Sequence, residues 1–155
     1  MRFIRTACVV VILSLSSVAY AASVKIEGLP IKVGDTVEDV QKALSTSQEP
    51  EKVENAIESP LTKKETQIHL KTKGIWVFFK KGKVVTIRIE QPFSGSIGGV
   101  RLGDSSSKIE KTFGPATKHG TFGNYDTYTY YFDDVTTTRF TVNSDDEIEI
   151  IFFNK

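Results

Sequence analysis

The stretch "IKVGDTVEDVQKAL", Ile31 to Leu44, returns 69 positions later as "VRLGDSSSKIEKTF", Val100 to Phe113. Both copies open with two aliphatic residues one position apart, Ile31 and Val33, then Val100 and Leu102. Next come Gly34-Asp35-Thr36 and Gly103-Asp104-Ser105. The glycine suits a tight turn because it tolerates positive φ. The Asp, or the hydroxyl that follows it, can accept from free backbone N–H groups at a helix start. Apolar residues then recur at helical spacing: Val37, Val40 and Leu44, and later Ile109 and Phe113. Gly114-Pro115 ends the second helix. The repeat therefore predicts a turn, a cap and a short amphipathic helix, used twice.

Beyond each helix the period changes to two. "GIWVFFKKGKVVTIRIE", residues 74–90, reads as a hairpin around Lys81-Gly82. A two-residue loop sets Phe78 opposite Val85 and Trp76 opposite Ile87, which puts Trp76, Phe78, Val85, Ile87 and Ile89 on the expected core face. "TTRFTVNSDDEIEIIFF", residues 137–153, repeats the pattern around "NSDDE". Pairing Val142 with Ile148 puts Phe140, Val142, Ile148, Ile150 and Phe152 on the same side. An earlier strand precedes each hairpin, "TQIHLK" from Thr66 and "TYTYYF" from Thr127. The expected fold is α+β: two tandem helix-plus-three-antiparallel-strand units forming one sheet of about six strands with helices on one face. The units span 22–93 and 94–155. Residues 45–65, polar and carrying Pro50 and Pro60, form an insert in the first; Val53, Ala56 and Ile57 are spaced for a short helix there. The second copy has "GPATKHGTFGNYD", residues 114–126, read as a loop.

Residues 1–21 have the layout of a secretory signal peptide: Arg2 and Arg5, an apolar run from Ala7 to Leu15, and small residues at Ala19 and Ala21. The run is short for a bilayer span, which takes roughly 20 residues. Export to the periplasm or beyond is expected, with no membrane span. Loss of Arg2 and Arg5 lowers the 20 basic residues to 18 against 19 acidic ones, so no bulk charge favours nucleic acid or an anionic membrane as partner. Cys8, the sole cysteine, lies in the signal segment, so the core has no disulfide to support it.

The aliphatic-x-aliphatic-Gly-x-Ser/Thr pattern followed by a helix and strands resembles the unit of outer-membrane assembly lipoproteins of the BamE/SmpA type. It is carried by "VRLGDSSSKIEKTFGPATK" and, without the Gly-Pro ending, by "IKVGDTVEDVQKAL". Two such units in tandem resemble the β-lactamase inhibitor protein (BLIP) fold. The resemblance implies a protein-binding role and names no target.

Residue types that could carry chemistry are sparse. His69 alternates with Ile68 and Leu70 and is expected on the non-core side of a strand; His119 lies among Gly and Lys with no fixed nucleophile or carboxylate beside it. Two separated histidines are too few for zinc. "GSIGGVRLGDSS", residues 95–106, lacks the lysine of a phosphate-binding loop. Asp133-Asp134 and Asp145-Asp146 read as acidic turns rather than a calcium loop. No cofactor, metal site or enzymatic activity is expected.

What the expected arrangement leaves is an uncovered sheet face carrying Ile75, Val77, Phe79 and Val84, then Tyr131, Ile151 and Phe153, with Arg88, Arg139, Thr141 and Glu149 among them. Phe122 and Tyr125 add aromatics at a loop or edge. Apolar, aromatic and arginine side chains in one patch are the composition of protein-binding surfaces. Three occupants fit: a partner protein, the 45–65 insert, or a second copy in a homodimer. A register slip of one residue would exchange the two faces. The expected function is a secreted inhibitor or immunity protein that blocks a partner. The alternatives are a cell-envelope assembly component and a small-ligand binder using residues 118–125.

Export is checkable directly. The mature protein recovered from an exporting host should begin at Ala22, read by intact mass; a chain retaining Met1 to Ala21 contradicts the signal-peptide reading.

Overall fold

The computed structural model describes residues 26–53, 65–132 and 136–155. The signal segment, the expected helix at Ala56 and Ile57, and Asp133-Asp134 lie outside the described residues. Among the described residues the order is β1 (Ile26–Glu27), α1 (Val37–Leu44), β2 (Glu51–Lys52), β3 (Thr66–Leu70), β4 (Ile75–Lys80), β5 (Lys83–Glu90), β6 (Ser96–Ile97), α2 (Ser106–Phe113), β7 (Lys118–Phe122), β8 (Tyr125–Tyr131), β9 (Thr137–Val142) and β10 (Ile148–Asn154). No helix among these residues is long and apolar enough to cross a membrane.

The molecule is mostly β. One antiparallel sheet of eight strands runs β2-β3-β4-β5-β10-β9-β8-β7, and β1 pairs with β6 in a separate ribbon. This corrects the expectation of an α+β fold built from two tandem three-stranded units. The β1–β6 ribbon was not expected, and two strands of the large sheet, β2 and β7, lie outside the expected set for a physical reason. β2 is two exposed residues beside Pro50, with no alternation to mark it. β7 is exposed at all five positions, so it has no inside and outside to alternate; residues 118–125 are a hairpin arm and turn, not a loop.

The repeated sequence does repeat in hydrogen bonds. Gly34 N donates to Val84 O and Val84 N to Asp35 O, both 2.8 Å; Gly103 N donates to Ile148 O and Ile148 N to Asp104 O, also both 2.8 Å. Gly34 and Gly103 hold φ of +98° and +86°, a region that disfavours other residues. Each aspartate closes its own turn instead of capping the helix: Asp35 Oδ2 accepts from Lys32 N, and Asp104 Oδ2 from Arg101 N, at 2.8 Å in each case. The helix starts differ. Thr36 and Asp39 form a reciprocal capping box on α1. On α2, Ser106 N donates to Asp146 Oδ1 at 3.1 Å, from the β9–β10 turn. That turn is ordered by Asn143, whose Oδ1 accepts from Asp145 N and Glu147 N.

The residue after each anchored position is a β-bulge. Phe79 pairs with Val84 but Phe78 pairs with Thr86, leaving Val85 extra; Val142 pairs with Ile148 but Thr141 pairs with Ile150, leaving Glu149 extra. A bulge moves every following side chain to the other face. Counting by two therefore misassigns the strands beyond it. The core carries Ile75, Val77, Phe79, Val84, Ile87, Ile89, Ile151 and Phe153, together with Ile68, Phe140, Val142 and Ile148. Ile75, Val77, Phe79, Val84, Ile151 and Phe153, expected on the uncovered face, are thus corrected to the core; Trp76, Phe78, Ile150 and Phe152 go to the opposite face, and Val85, expected in the core, is the half-buried bulge residue. The copies correspond through Val84 and Ile148, not through Val85 and Ile148.

The helices cover this core face through Val40, Leu44 and Ile109, with Leu29, Ile31, Phe93, Ile97 and Val100 from the connecting segments. Phe113 of α2 stands against Tyr130, Phe132 and Phe140, and the Tyr130 hydroxyl donates to Gly114 O at 2.9 Å, tying the end of α2 to β8. Phe79 is 0% exposed. Phe79→Ala should cost about 3–5 kcal/mol, the range for a fully buried aromatic, in urea unfolding. Trp76→Ala, on the half-buried face, should cost less; the reverse order would contradict the assignment of faces.

Candidate binding face

The side of the sheet away from the helices carries a row of residues in direct register. His69 pairs with Trp76, Trp76 with Arg88, Arg88 with Phe152, Phe152 with Arg139, Arg139 with Thr129 and Thr129 with Lys118. The row crosses seven strands, β3 to β7. Alternation within each strand sends these side chains to the face opposite Ile68, Val77, Ile87, Ile151 and Phe140.

Contacts along the row alternate ring and cation. The His69 and Trp76 rings stack with centroids 3.3 Å apart. Arg88 lies 5.4 Å from the Trp76 centroid and 5.9 Å from that of Phe152; Arg139 lies 4.5 Å from the Phe152 ring on its other side. Such contacts contribute about 0.5–1 kcal/mol each when exposed and more when desolvated. Glu90 completes one end: its carboxylate accepts from Trp76 Nε1 at 2.8 Å and pairs with the Arg88 guanidinium. In the neighbouring row, Thr86 Oγ1 donates to Asn154 Oδ1 at 3.1 Å.

Three buried side-chain polar atoms among the described residues have no hydrogen-bond partner: Arg88 Nε, Arg139 Nε and Thr141 Oγ1. All three belong to this face. Thr141 is two residues from Arg139 on β9, pairs with Ile150, and is 5% exposed. Leaving such an atom unsatisfied costs roughly 1–3 kcal/mol. Trp76, Arg88, Phe152, Arg139 and Ile150 are all half-buried.

Of the residues expected at a binding surface, the structure brings Arg88, Arg139, Tyr125 and Tyr131 to this face. Tyr131 pairs with Thr137 and is 47% exposed. Glu149, the bulge residue, faces Tyr125 and raises its hydroxyl pKa as an acceptor and as a nearby negative charge. Phe122 is 71% exposed at the end of β7, across from Tyr125. Trp76, Phe152 and Ile150 were missed because period-two counting put them in the core. A cavity of about 340 Å³ between the β7–β8 turn and the β9–β10 turn is lined by Tyr125, Asp126, Asn143 and Asp146. A larger one, about 510 Å³, lies at the sheet end beside Lys80, Lys81, Lys83 and Lys155. His119 is exposed and stacks on Tyr128. Among the described residues no group of three or more His, Cys, Asp or Glu could hold a metal ion.

The stacked histidine gives this face a pH signature. Burial pushes His69 below the ordinary histidine value of 6.5; Glu90 pulls it upward, and Lys71 and Arg88 push it down again. The unfolded chain then binds the proton more readily than the folded one. Stability should therefore fall as pH drops below 6.5 towards the lower folded value, with no contribution from His69 well above it. A ring-proton NMR titration checks this; a His69 midpoint at or above 6.5 contradicts it.

No protein-family model matches the sequence, and no curated protein matches it. Among solved structures, the crystal structure of a DUF4309 family protein, YjgB from Bacillus subtilis subsp. subtilis strain 168, is similar with a TM-score of 0.48 and 17% identity, over 77% of this chain and 78% of that one.

Proposed function

We propose that this is an exported, non-enzymatic protein-binding module that holds a partner protein against the sheet face opposite its helices, as an inhibitor or immunity protein would. One observation carries the reading: every unpartnered buried side-chain polar atom among the described residues belongs to a face that also presents Trp76, Phe152, Arg88 and Arg139 half-buried. Aromatic and arginine side chains dominate binding hot spots, and hot spots form where a partner completes their desolvation. Steric blockage needs such anchors and a rigid frame, and the eight-stranded sheet supplies the frame. The sequence resemblance of the repeated turn-and-helix stretch to BamE/SmpA units agrees with this class of function, and the layout of residues 1–21 supports export.

The experiment is affinity capture with the immobilised mature protein and two sets of variants. A partner held by this face should be retained by the wild type and by Glu110→Ala, on the exposed side of α2, and lost with Phe152→Ala and Trp76→Ala after each variant is shown to be folded by circular dichroism. Retention of every captured protein by both face variants would overturn the reading.

A further inference from the structure

One kind of group would satisfy all three unpartnered atoms. An arginine Nε can only donate and a threonine hydroxyl can donate or accept, so an acceptor serves each of them. The two arginines differ in what they already have. Arg88 is paired with Glu90. Arg139 makes no side-chain hydrogen bond or ion pair with the described residues; its contact is the Phe152 ring.

Among the described residues, the surroundings of Arg139 are neutral or basic. Its same-face neighbours on β9 are Thr137 and Thr141, its partner on β8 is Thr129, and Lys118 ends the row. The described carboxylates of this face lie away from Arg139: Glu90 holds Trp76 and Arg88, Glu149 lies beside Tyr125, Glu65 accepts from Lys81 N, and Glu51 is on β2 near His69 at the opposite end of the sheet. Burial pushes the Arg139 pKa down, and no described carboxylate opposes that shift. A half-buried guanidinium without a counter-ion bears the desolvation cost of a charge and recovers none of it by pairing.

We propose that Arg139 is the receptor for a carboxylate carried on an Asp or Glu side chain of the partner protein, bound through its Nε–H and a terminal N–H, with the Thr141 hydroxyl and the Lys118 ammonium as flanking donors. The proposal rests on the protein-binding reading of this face and names the chemistry of its partner. A guanidinium edge offers two parallel donors that match the two oxygens of a carboxylate. The flanking Phe152, Ile150 and Tyr131 suit the apolar surround of a side chain anchored in a protein. Without Arg2 and Arg5 the chain has 18 basic and 19 acidic residues, which gives no field for a phosphate polymer.

The test uses the folded mature protein with labelled arginine and lysine side chains and defined probes: the capped peptide Gly-Tyr-Glu-Tyr-Gly, its Gln analogue, and inorganic phosphate. The Glu peptide should shift the Arg139 Nε–H resonance with an affinity about tenfold above the Gln peptide, and Arg139→Gln should erase that difference. Equal response to the two peptides, no shift at Arg139 up to about 10 mM peptide, or an equal response to phosphate would each overturn the carboxylate assignment. So would a response confined to Lys80, Lys81 and Lys83 at the sheet end. Capture that still depends on Phe152 and Trp76 while Arg139 stays silent sinks this proposal alone; loss of that dependence sinks the binding face as well.

Discussion

Four backbone hydrogen bonds hold this protein in register. Each Gly-Asp turn clamps one residue of a hairpin, Val84 in the first copy and Ile148 in the second, by donating to its carbonyl and accepting from its amide. The clamp fixes where the helix leaves the sheet, and the strand bulges at the next residue. From that point outward the choice of buried side chain is settled. Ile87 and Ile89 turn inward beside Ile151 and Phe153, and Arg88 and Phe152 turn outward.

The bulges shape the far face. Because both strands shift at the equivalent position, Arg88 and Phe152 come into direct register at the centre of the sheet, with Trp76 and Arg139 beyond them on β4 and β9. Neighbouring strands lie about 4.8 Å apart, which brings cations and rings within contact range across the sheet. The two central strands come from the two copies, so the ring-and-cation row exists only where the copies meet at β5 and β10. A single copy would provide half of it.

The energetics of the two faces are different in kind. The helix side is closed, with Val40, Ile68, Val77, Phe79, Val100, Ile109 and Phe140 all fully buried, and it stabilises the fold by removing apolar area from water. The far side holds half-buried charge. Ring contacts of about 1 kcal/mol each do not offset donors left unpaired at roughly 1–3 kcal/mol apiece. A surface in that condition gains from an acceptor-bearing partner, and the proposed binding function rests on that imbalance.

The sequence alone determined the local elements whose signals are local. Gly34 and Gly103, the hydroxyls at Thr36 and Ser105, and the apolar spacing through Val40, Leu44 and Ile109 were enough to place two turns and two short helices; Lys81-Gly82 was enough to place a hairpin. Arg88, Arg139, Tyr125 and Tyr131 were legible as a surface set because large cations and tyrosines resist full burial. Only the tertiary structure decided which side of each strand became core. Strands such as Ile75–Phe79 and Ile148–Phe153 are apolar at almost every position, so alternation carries no information there, and a bulge of one residue reverses the outcome. The clamps that create those bulges join residues 50 positions apart in the first copy, Gly34 with Val84, and 45 apart in the second, Gly103 with Ile148. β2 and β7 were decided in the same way, since an exposed strand is recognised by the neighbour it pairs with and not by its own side chains.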